Sequence, residues 1–280
     1  MLSQRQAAGA ADGGEFWALL SDTHIAADES AEARGVVLAA QFRRVLKQVA
    51  AAGAKPHGVL INGDCALKDG QPEDYAQFLR CVKPLLDENI QVHCTLGNHD
   101  DRRHFSAATT QPGVEPLLAD RHVTVLSSAR INWVLLDSLD AVNATPGRLG
   151  ESQLGWLQRT LWRLPDKPAV VVLHHDPQTF VAEGAKLTGL ADAGSLLGVL
   201  RKNPRVKALI HGHTHNWNVQ PPADGNPWII GLPPVAYVFN PDRPAGWVMA
   251  RVNGERLTLE LRALNPDHPQ HRQRVEVELM

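Results

Sequence analysis

The chain has few cysteines, no long apolar run and no block of like charge, and each lack removes a class of function. Its three cysteines, Cys65, Cys81 and Cys94, are an odd count without metal-finger spacing. That argues against a disulfide framework and fits a reducing compartment. Cys65, beside Asp64, reads as a small buried hydrophobe rather than a redox group. No stretch approaches the roughly 18 to 20 apolar residues of a membrane span. Met1 to Glu15 is rich in Ala, Gly and Gln and has no apolar h-region, so residues 1–15 read as a flexible N-terminal tail rather than a signal peptide. The expected location is cytoplasmic, and without a secretory signal the Asn143-Ala144-Thr145 sequon carries little weight. A formal net charge of −2 offers no basic field to a nucleic acid polymer or an anionic membrane. There is no internal repeat.

What is present is a pattern that occurs five times. Phe16–Leu20 runs into Ser21-Asp22-Thr23-His24, Val59–Ile61 into Asn62-Gly63-Asp64, and Ile90–Cys94 into Thr95-Leu96-Gly97-Asn98-His99-Asp100-Asp101. Ala169–Leu173 then ends in His174-His175, and Val206–Ile210 in His211-Gly212-His213-Thr214-His215. An apolar run that stops in polar groups reads as a buried strand delivering side chains to a sheet edge, where open α/β folds place their sites. Any one of these tips could be a polar turn. Five together imply one site at the ends of neighbouring strands. Because the tips span positions 22 to 215, a single domain over 16–280 is expected.

Between the tips, Glu32–Ala52 has helical periodicity with Val36, Val37, Ala40, Phe42, Val45, Leu46 and Val49 as its buried stripe, and Gly53 as its stop. A second helix starts at Pro72 or Glu73, where proline suits the first turn; Pro84 should bend or divide it. Strand and helix alternate with crossovers long enough for parallel strands. His122–Leu126 and Ile131–Leu136 read as a hairpin, Leu149–Leu164 and Asp192–Lys202 as helices, and Trp156 and Trp162 as core or groove fillers. Asp176–Ala191 is a rim loop. After Asn216 the pattern is all-β, with Trp228–Ile230, Gly246–Val252 and Arg256–Leu261 as strands and Asn253-Gly254 as a tight hairpin turn. The fold class expected is α/β: a four-layer α/β/β/α sandwich of two facing mixed sheets flanked by helices, with the site at the C-terminal edge of the strands.

If the tips converge, they offer Asp22, His24, Asp64, Asn98, His174, His213 and His215, a mixed oxygen and nitrogen set suited to manganese, iron, cobalt or zinc. Seven ligands exceed one tetrahedral zinc. Two ions sharing a carboxylate, roughly 3.5 to 4 Å apart, are the natural solution. His213 and His215 alternate on an extended segment and reach different ions if the backbone bends at Gly212.

The series Asp22-Thr23-His24, Gly63-Asp64, Gly97-Asn98-His99-Asp100, His174 and Gly212-His213-Thr214-His215 resembles the signature of the calcineurin-like metallophosphoesterase superfamily. Lys68–Tyr75 and the His174-His175 doublet followed by Pro177 further resemble its bacterial class III cyclic-nucleotide and glycerophosphodiester phosphodiesterase branch, although Asp176 stands where that branch often has proline. The resemblance implies that Asp22, His24, Asp64 and His215 bind one divalent or trivalent transition-metal ion, and Asp64, Asn98, His174 and His213 the other. It places His99 at the leaving oxygen, with Asp100 orienting it. Substrate contacts are expected from Asn98, His99 and His175, although His175 and His211 also read as structural neighbours of the ligands. His57, His93, His104 and His122 read as ordinary histidines.

The implied reaction is hydrolysis of a small phosphodiester. Two cations would lower the pKa of a bridging water from 15.7 toward about 7, and the hydroxide so formed would attack in line. Protonation of the alkoxide by His99 would be worth about 10²- to 10⁴-fold. A phosphomonoesterase and a non-catalytic scaffold of the same fold are the alternatives. Arg102 and Arg103 read equally as phosphate contacts or solvated charges, and Tyr237 as a contact for a base or glycerol group or as core. No nucleic acid polymer or membrane partner is expected, and a homodimer is left open. Substrate choice is expected to lie in the loops 101–120, 176–191 and 221–243.

Overall fold

The computed structural model describes residues 14–109, 116–178, 181 and 183–280. Residues 1–13 of the expected tail, and parts of the loops 101–120 and 176–191, lie outside that range. In chain order the elements are β1 (Glu15–Ser21), β2 (Glu32–Ala33), β3 (Val36–Val37), α1 (Leu38–Ala50), β4 (Gly58–Asn62), α2 (Pro72–Asp87), β5 (Val92–Thr95) and α3 (Arg102–Thr109). There follow β6 (Thr124–Ser127), β7 (Asn132–Leu135), α4 (Gly150–Arg163), β8 (Ala169–Val172), α5 (Ala193–Arg201), β9 (Val206–His211), β10 (Asn218–Gln220), β11 (Trp228–Gly231), β12 (Gly246–Asn253), β13 (Arg256–Ala263) and β14 (Arg274–Glu278).

Two six-stranded mixed sheets result, ordered β14-β13-β12-β1-β4-β5 and β10-β11-β9-β8-β7-β6. Period-two alternation explains their layering. Trp17, Leu19, Leu60, Val170, Val172, Ala208 and Ile210 share one core between the sheets. Their neighbours Phe16, Ala18, Leu20, Val59 and Ile61 pack against Phe42 and Val45 of α1 and Tyr75 and Phe78 of α2. On the far side Val171, Leu173 and Leu209 meet Leu157 and Leu161 of α4 and Leu196 and Leu197 of α5. This is the four-layer α/β/β/α sandwich. Strands β1, β4 and β5 run parallel, as do β8 and β9, so all five ligand-bearing tips emerge at one edge. Among the described residues no helix is long and apolar enough to cross a membrane.

Several expectations need correction. Glu15 belongs to β1 and is buried, accepting from Arg130 N–H and the Ser128 hydroxyl, so the strand starts inside the expected tail. Residues 32–37 form a small hairpin, not the first turns of a helix, because Arg34 (φ 51°) and Gly35 (φ 79°) make a left-handed turn between them. Val36 and Val37 therefore leave the buried stripe. Helix α2 runs unbroken through Pro84, whose exposed position lets water take the carbonyl left unbonded by the ring. Trp162 is 62% exposed, because Leu157 and Leu161 already occupy the buried face of α4. The β12–β13 turn is Gly254-Glu255, one residue later than expected, since Asn253 still pairs with Arg256. Strands β10 and β14 were not anticipated.

Candidate metal centre

Among the groups of ligand atoms at that edge are Asp22, His24 and His215, and Asp64, His174 and His213, with the atoms of each group within 4.8 Å of one another. Asp22 Oδ1 lies 3.3 Å from His215 Nε2. Asp64 Oδ2 lies 3.3 Å from His174 Nε2 and 3.8 Å from His24 Nε2, so this one oxygen faces both groups, and Asp22 Oδ1, 3.9 Å from His174 Nε2, approaches the second group as well. Asn98 is buried beside them, its Oδ1 without a hydrogen-bond partner.

The histidines are aimed by the main chain. His174 Nδ1 donates to Asn62 C=O at 2.9 Å and His215 Nδ1 to Tyr237 C=O at 2.6 Å. In both rings Nε2 is left to face the carboxylates, the arrangement in which a histidine ligates a metal. Asn62 also links the two sheets: its C=O accepts from the Ser21 hydroxyl, its Nδ2 donates to Leu173 C=O, and its Oδ1 accepts from Thr95. Gly97 is required by close approach, since a Cβ there would collide with Asp64 and with the His174 ring.

Local backbone strain marks the same positions. Asp22 (φ 54°), His24 (φ 48°), Asp64 (φ 47°), His213 (φ 66°) and His215 (φ 49°) are all left-handed. Each costs about 1–3 kcal/mol and persists only where the surroundings over-determine it. The left-handed turns break the strand alternation, and so His213 and His215 serve different groups.

The electrostatics call for positive charge. Burial alone would raise the Asp22 pKa, but the charge and hydrogen bond of His215, and then His174, hold it well below the ordinary carboxylate value. Asp64 is likewise held low against burial, chiefly by His174 and then His24. His174 is pushed up to about 10: burial opposes protonation, and Asp64 followed by Asp22 overrides it. His24, by contrast, is lowered to about 4 by burial, so its ring is neutral. His24 Nδ1 and His174 Nε2 are buried without hydrogen-bond partners, and His24 Nε2 faces His215 Nε2 at 3.1 Å. Nitrogens that converge on a common point rather than on each other's protons fit metal ions.

The profile of the calcineurin-like phosphoesterases matches residues 18–217, which contain every one of these groups. The chain belongs to the calcineurin-like phosphoesterase family. It is a metallophosphoesterase, a hydrolase of phosphoric esters. The 3',5'-cyclic adenosine monophosphate phosphodiesterase CpdA of Haemophilus influenzae is 30% identical over 228 residues, covering 80% of this chain and 77% of that protein. A probable cyclic nucleotide phosphodiesterase of Rhodococcus erythropolis is 32% identical over 202 residues, covering 71% of this chain and 64% of that protein. Among solved structures, a dimetal phosphatase from Danio rerio shares the fold with a TM-score of 0.70 at 18% identity, covering 96% of this chain and all 100% of that one.

In this phosphoesterase His99 is half-buried at the rim, and a ligand-type atom of its ring lies within 4.8 Å of those of His24 and Asp64. Its orienting partner is not Asp100. His99 Nδ1 lies 2.7 Å from Lys68 C=O and 3.0 Å from Asn143 Oδ1. Two oxygen acceptors require Nδ1 to carry a proton, which leaves Nε2 to meet a ligand. Asn143, whose main-chain N–H also donates to Asn98 C=O at 2.7 Å, gave no sign in the sequence beyond its sequon. Asp100 instead accepts from the amides of Cys65, Ala66 and Gly97 and from the Tyr75 hydroxyl. It pins the Asp64 loop to the Asn98 loop, and burial together with the Asp64 charge raises it to about 6.

Arg102 departs from both of its readings, and Arg103 and His175 each fall on one of theirs. Arg102 makes a two-point ion pair with buried Asp137, at 2.6 and 3.1 Å, and is not free for phosphate. Arg103 is exposed. His175 is fully buried with Nδ1 on the Ser138 hydroxyl and its ring against those of His174 and His213, the position of a structural neighbour. His57, His104 and His122 bond to main-chain atoms of Phe16, Gly70 and Cys94.

Proposed function

We propose that this phosphoesterase hydrolyses a small phosphodiester, of the cyclic-nucleotide or glycerophosphodiester type, using two transition-metal ions. The observation that carries it is Asp64 Oδ2, one carboxylate oxygen facing both ligand groups, with a histidine fixed through its Nδ1 beside them. Both relatives described above carry cyclic-nucleotide phosphodiesterase names, which favours the diester over a monoester.

Asp22, His24, Asp64 and His215 would hold one ion, and Asp64, Asn98, His174 and His213 the other. Bound there, the ions supply the Lewis acidity that activates water and neutralises phosphoryl oxygens. The protein does the rest. His99, with Nδ1–H committed to Lys68 C=O and Asn143, acts in its doubly protonated form: Nε2–H gives its proton to the leaving oxygen as the P–O bond breaks, and the proton lost by the attacking water restores it. Asn98, tied to Asn143 through its carbonyl, sets the distance between His99 and the ligands. Water's oxygen ends on phosphorus and the alcohol leaves protonated.

The experiment is a panel of cyclic nucleotides, glycerophosphodiesters, and p-nitrophenyl mono- and diesters assayed with manganese, cobalt and zinc. A cyclic nucleotide or glycerophosphodiester should give a higher kcat/KM than any monoester. A tenfold or larger preference for monoesters would overturn the diesterase reading and leave the family and fold intact.

A further inference from the structure

The hairpin β2–β3, which the sequence hid inside an expected helix, puts a cation on the rim of the centre. Arg34 at its tip is exposed, and its guanidinium carbon lies 5.0 Å from the Phe239 ring centroid and 5.7 Å from that of Tyr237. Among the described residues these two rings are its aromatic partners and no carboxylate pairs with it. Phe239 is 55% exposed, an unusual state for a phenylalanine held in a fixed stack. Both rings continue directly into the ligand set: Tyr237 stacks on His24 at 5.2 Å and Phe239 on His215 at 4.3 Å. The segment that carries them is locked down, with Val235 and Ala236 donating to Ser21 and Asp22 carbonyls and Gln41 capping the carbonyls of Val235 and Ala236.

We propose that Arg34, Tyr237 and Phe239 form the specificity subsite of this centre and take a planar nitrogen heterocycle, a purine base, by stacking. The proposal rests on the phosphodiester reading for its substrate and extends it by naming the leaving side of that substrate. A stacked guanidinium keeps its edge N–H donors free, so it can meet ring nitrogens or a carbonyl of the base while the aromatic surface meets its face. A glycerol group has no such face and would leave Phe239 and Arg34 without use. The subsite lies one ring beyond His24 and His215, and the His24 ring packs against both Tyr237 at 5.2 Å and His99 at 5.4 Å, so the base and the phosphate of one small nucleotide can be engaged together. Stacking of this kind is worth about tenfold or more per base.

The test is titration calorimetry of 5'-AMP and ribose 5-phosphate against the metal-loaded protein, which reads the base without needing turnover. Wild type should bind 5'-AMP at least tenfold more tightly than ribose 5-phosphate. Arg34→Ala and Phe239→Leu should each bring that ratio to within about twofold, and Arg34→Lys should not restore it. Metal content is measured alongside because Phe239 stacks on His215; if Phe239→Leu loses metal, Arg34→Ala alone decides. A wild type without preference for 5'-AMP overturns the subsite. So does retention of the preference in Arg34→Ala, or an equal loss for both ligands, which would make Arg34 a phosphate contact. Failure to turn over cyclic nucleotides is a separate outcome: it removes the substrate reading above, while the 5'-AMP ratio still decides the subsite.

Discussion

The main-chain N–H of His99 donates to Asp64 Oδ1 at 2.9 Å. That bond occupies one oxygen of the carboxylate and leaves Oδ2 turned toward His24 and His174. A residue shared between two groups of ligands should be less replaceable than one that serves a single group, and the predictions start there.

Asp64→Ala should abolish binding of both ions and all turnover. Asn98→Ala should weaken one ion and leave the other near full occupancy. Elemental analysis after gel filtration reads both results. Two ions retained by Asp64→Ala would show that the carboxylate does not bridge.

His99→Ala should slow a diester with a strongly basic leaving oxygen by about 10²- to 10⁴-fold. A nitrophenyl diester, whose leaving oxygen needs little protonation, should slow by at least about tenfold less. Asn143→Ala should show the same asymmetry in weaker form, because it loosens Nδ1 without removing the ring. Equal losses on the two substrates would reduce His99 to a positioning contact.

Asp100→Ala leaves three buried amides and the Tyr75 hydroxyl without their acceptor. The cost should be about 3 kcal/mol or more in urea denaturation, given about 1–3 kcal/mol for each of the three buried amides left unpaired. Tyr75→Phe, which removes one donor to Asp100 and the acceptor of the Asp101 N–H, should cost about 1 to 3 kcal/mol.

Arg102→Ala should lower stability by about 2 to 4 kcal/mol, because buried Asp137 loses its countercharge. The affinity for the phosphomonoester product, measured as product inhibition, should hardly change at a temperature where the variant is folded. A fall in that affinity with unaltered stability would restore Arg102 to the substrate.

Chelation should create a pH dependence. His174 has its pKa raised to about 10 in the folded protein against 6.5 for an ordinary histidine. A raised folded value gives stability that is fully present below about 6.5 and is lost as pH rises through about 10. His215 is raised as well and adds in the same direction. The Tm of chelated protein should therefore fall between pH 6.5 and 9, and that of metal-loaded protein should change less, since Nε2 then has no proton to lose. A flat profile after chelation would show that His174 is not held protonated by Asp64 and Asp22.

The strand tips were legible because burial and chemistry use the same residues differently. Val170 to Leu173 must be apolar to sit between layers, and His174 after them has no packing reason to be there. Asp100 was visible, yet its role was not, because the sequence does not say that Cys65 and Ala66 amides lie within reach. Asn143 could not be found: it stands 44 positions from the ring it holds, in a loop with no periodicity. The β2–β3 hairpin was missed because Val36 and Val37 fit a helical stripe as well as a strand, and the left-handed Arg34-Gly35 pair that decides between them is a backbone property.

The two groups of ligands draw on both sheets, with Asp22, His24 and Asp64 following β1 and β4, and His174, His213 and His215 following β8 and β9. During synthesis the chain would expose the first three long before the last three exist. One group is not complete until His213 and the other until His215 has left the ribosome, and His215 is not aimed until the Tyr237 carbonyl follows it. A nascent chain therefore has no finished site with which to capture an ion of the wrong kind. Choice of metal is deferred to the point at which the two halves of the molecule have met.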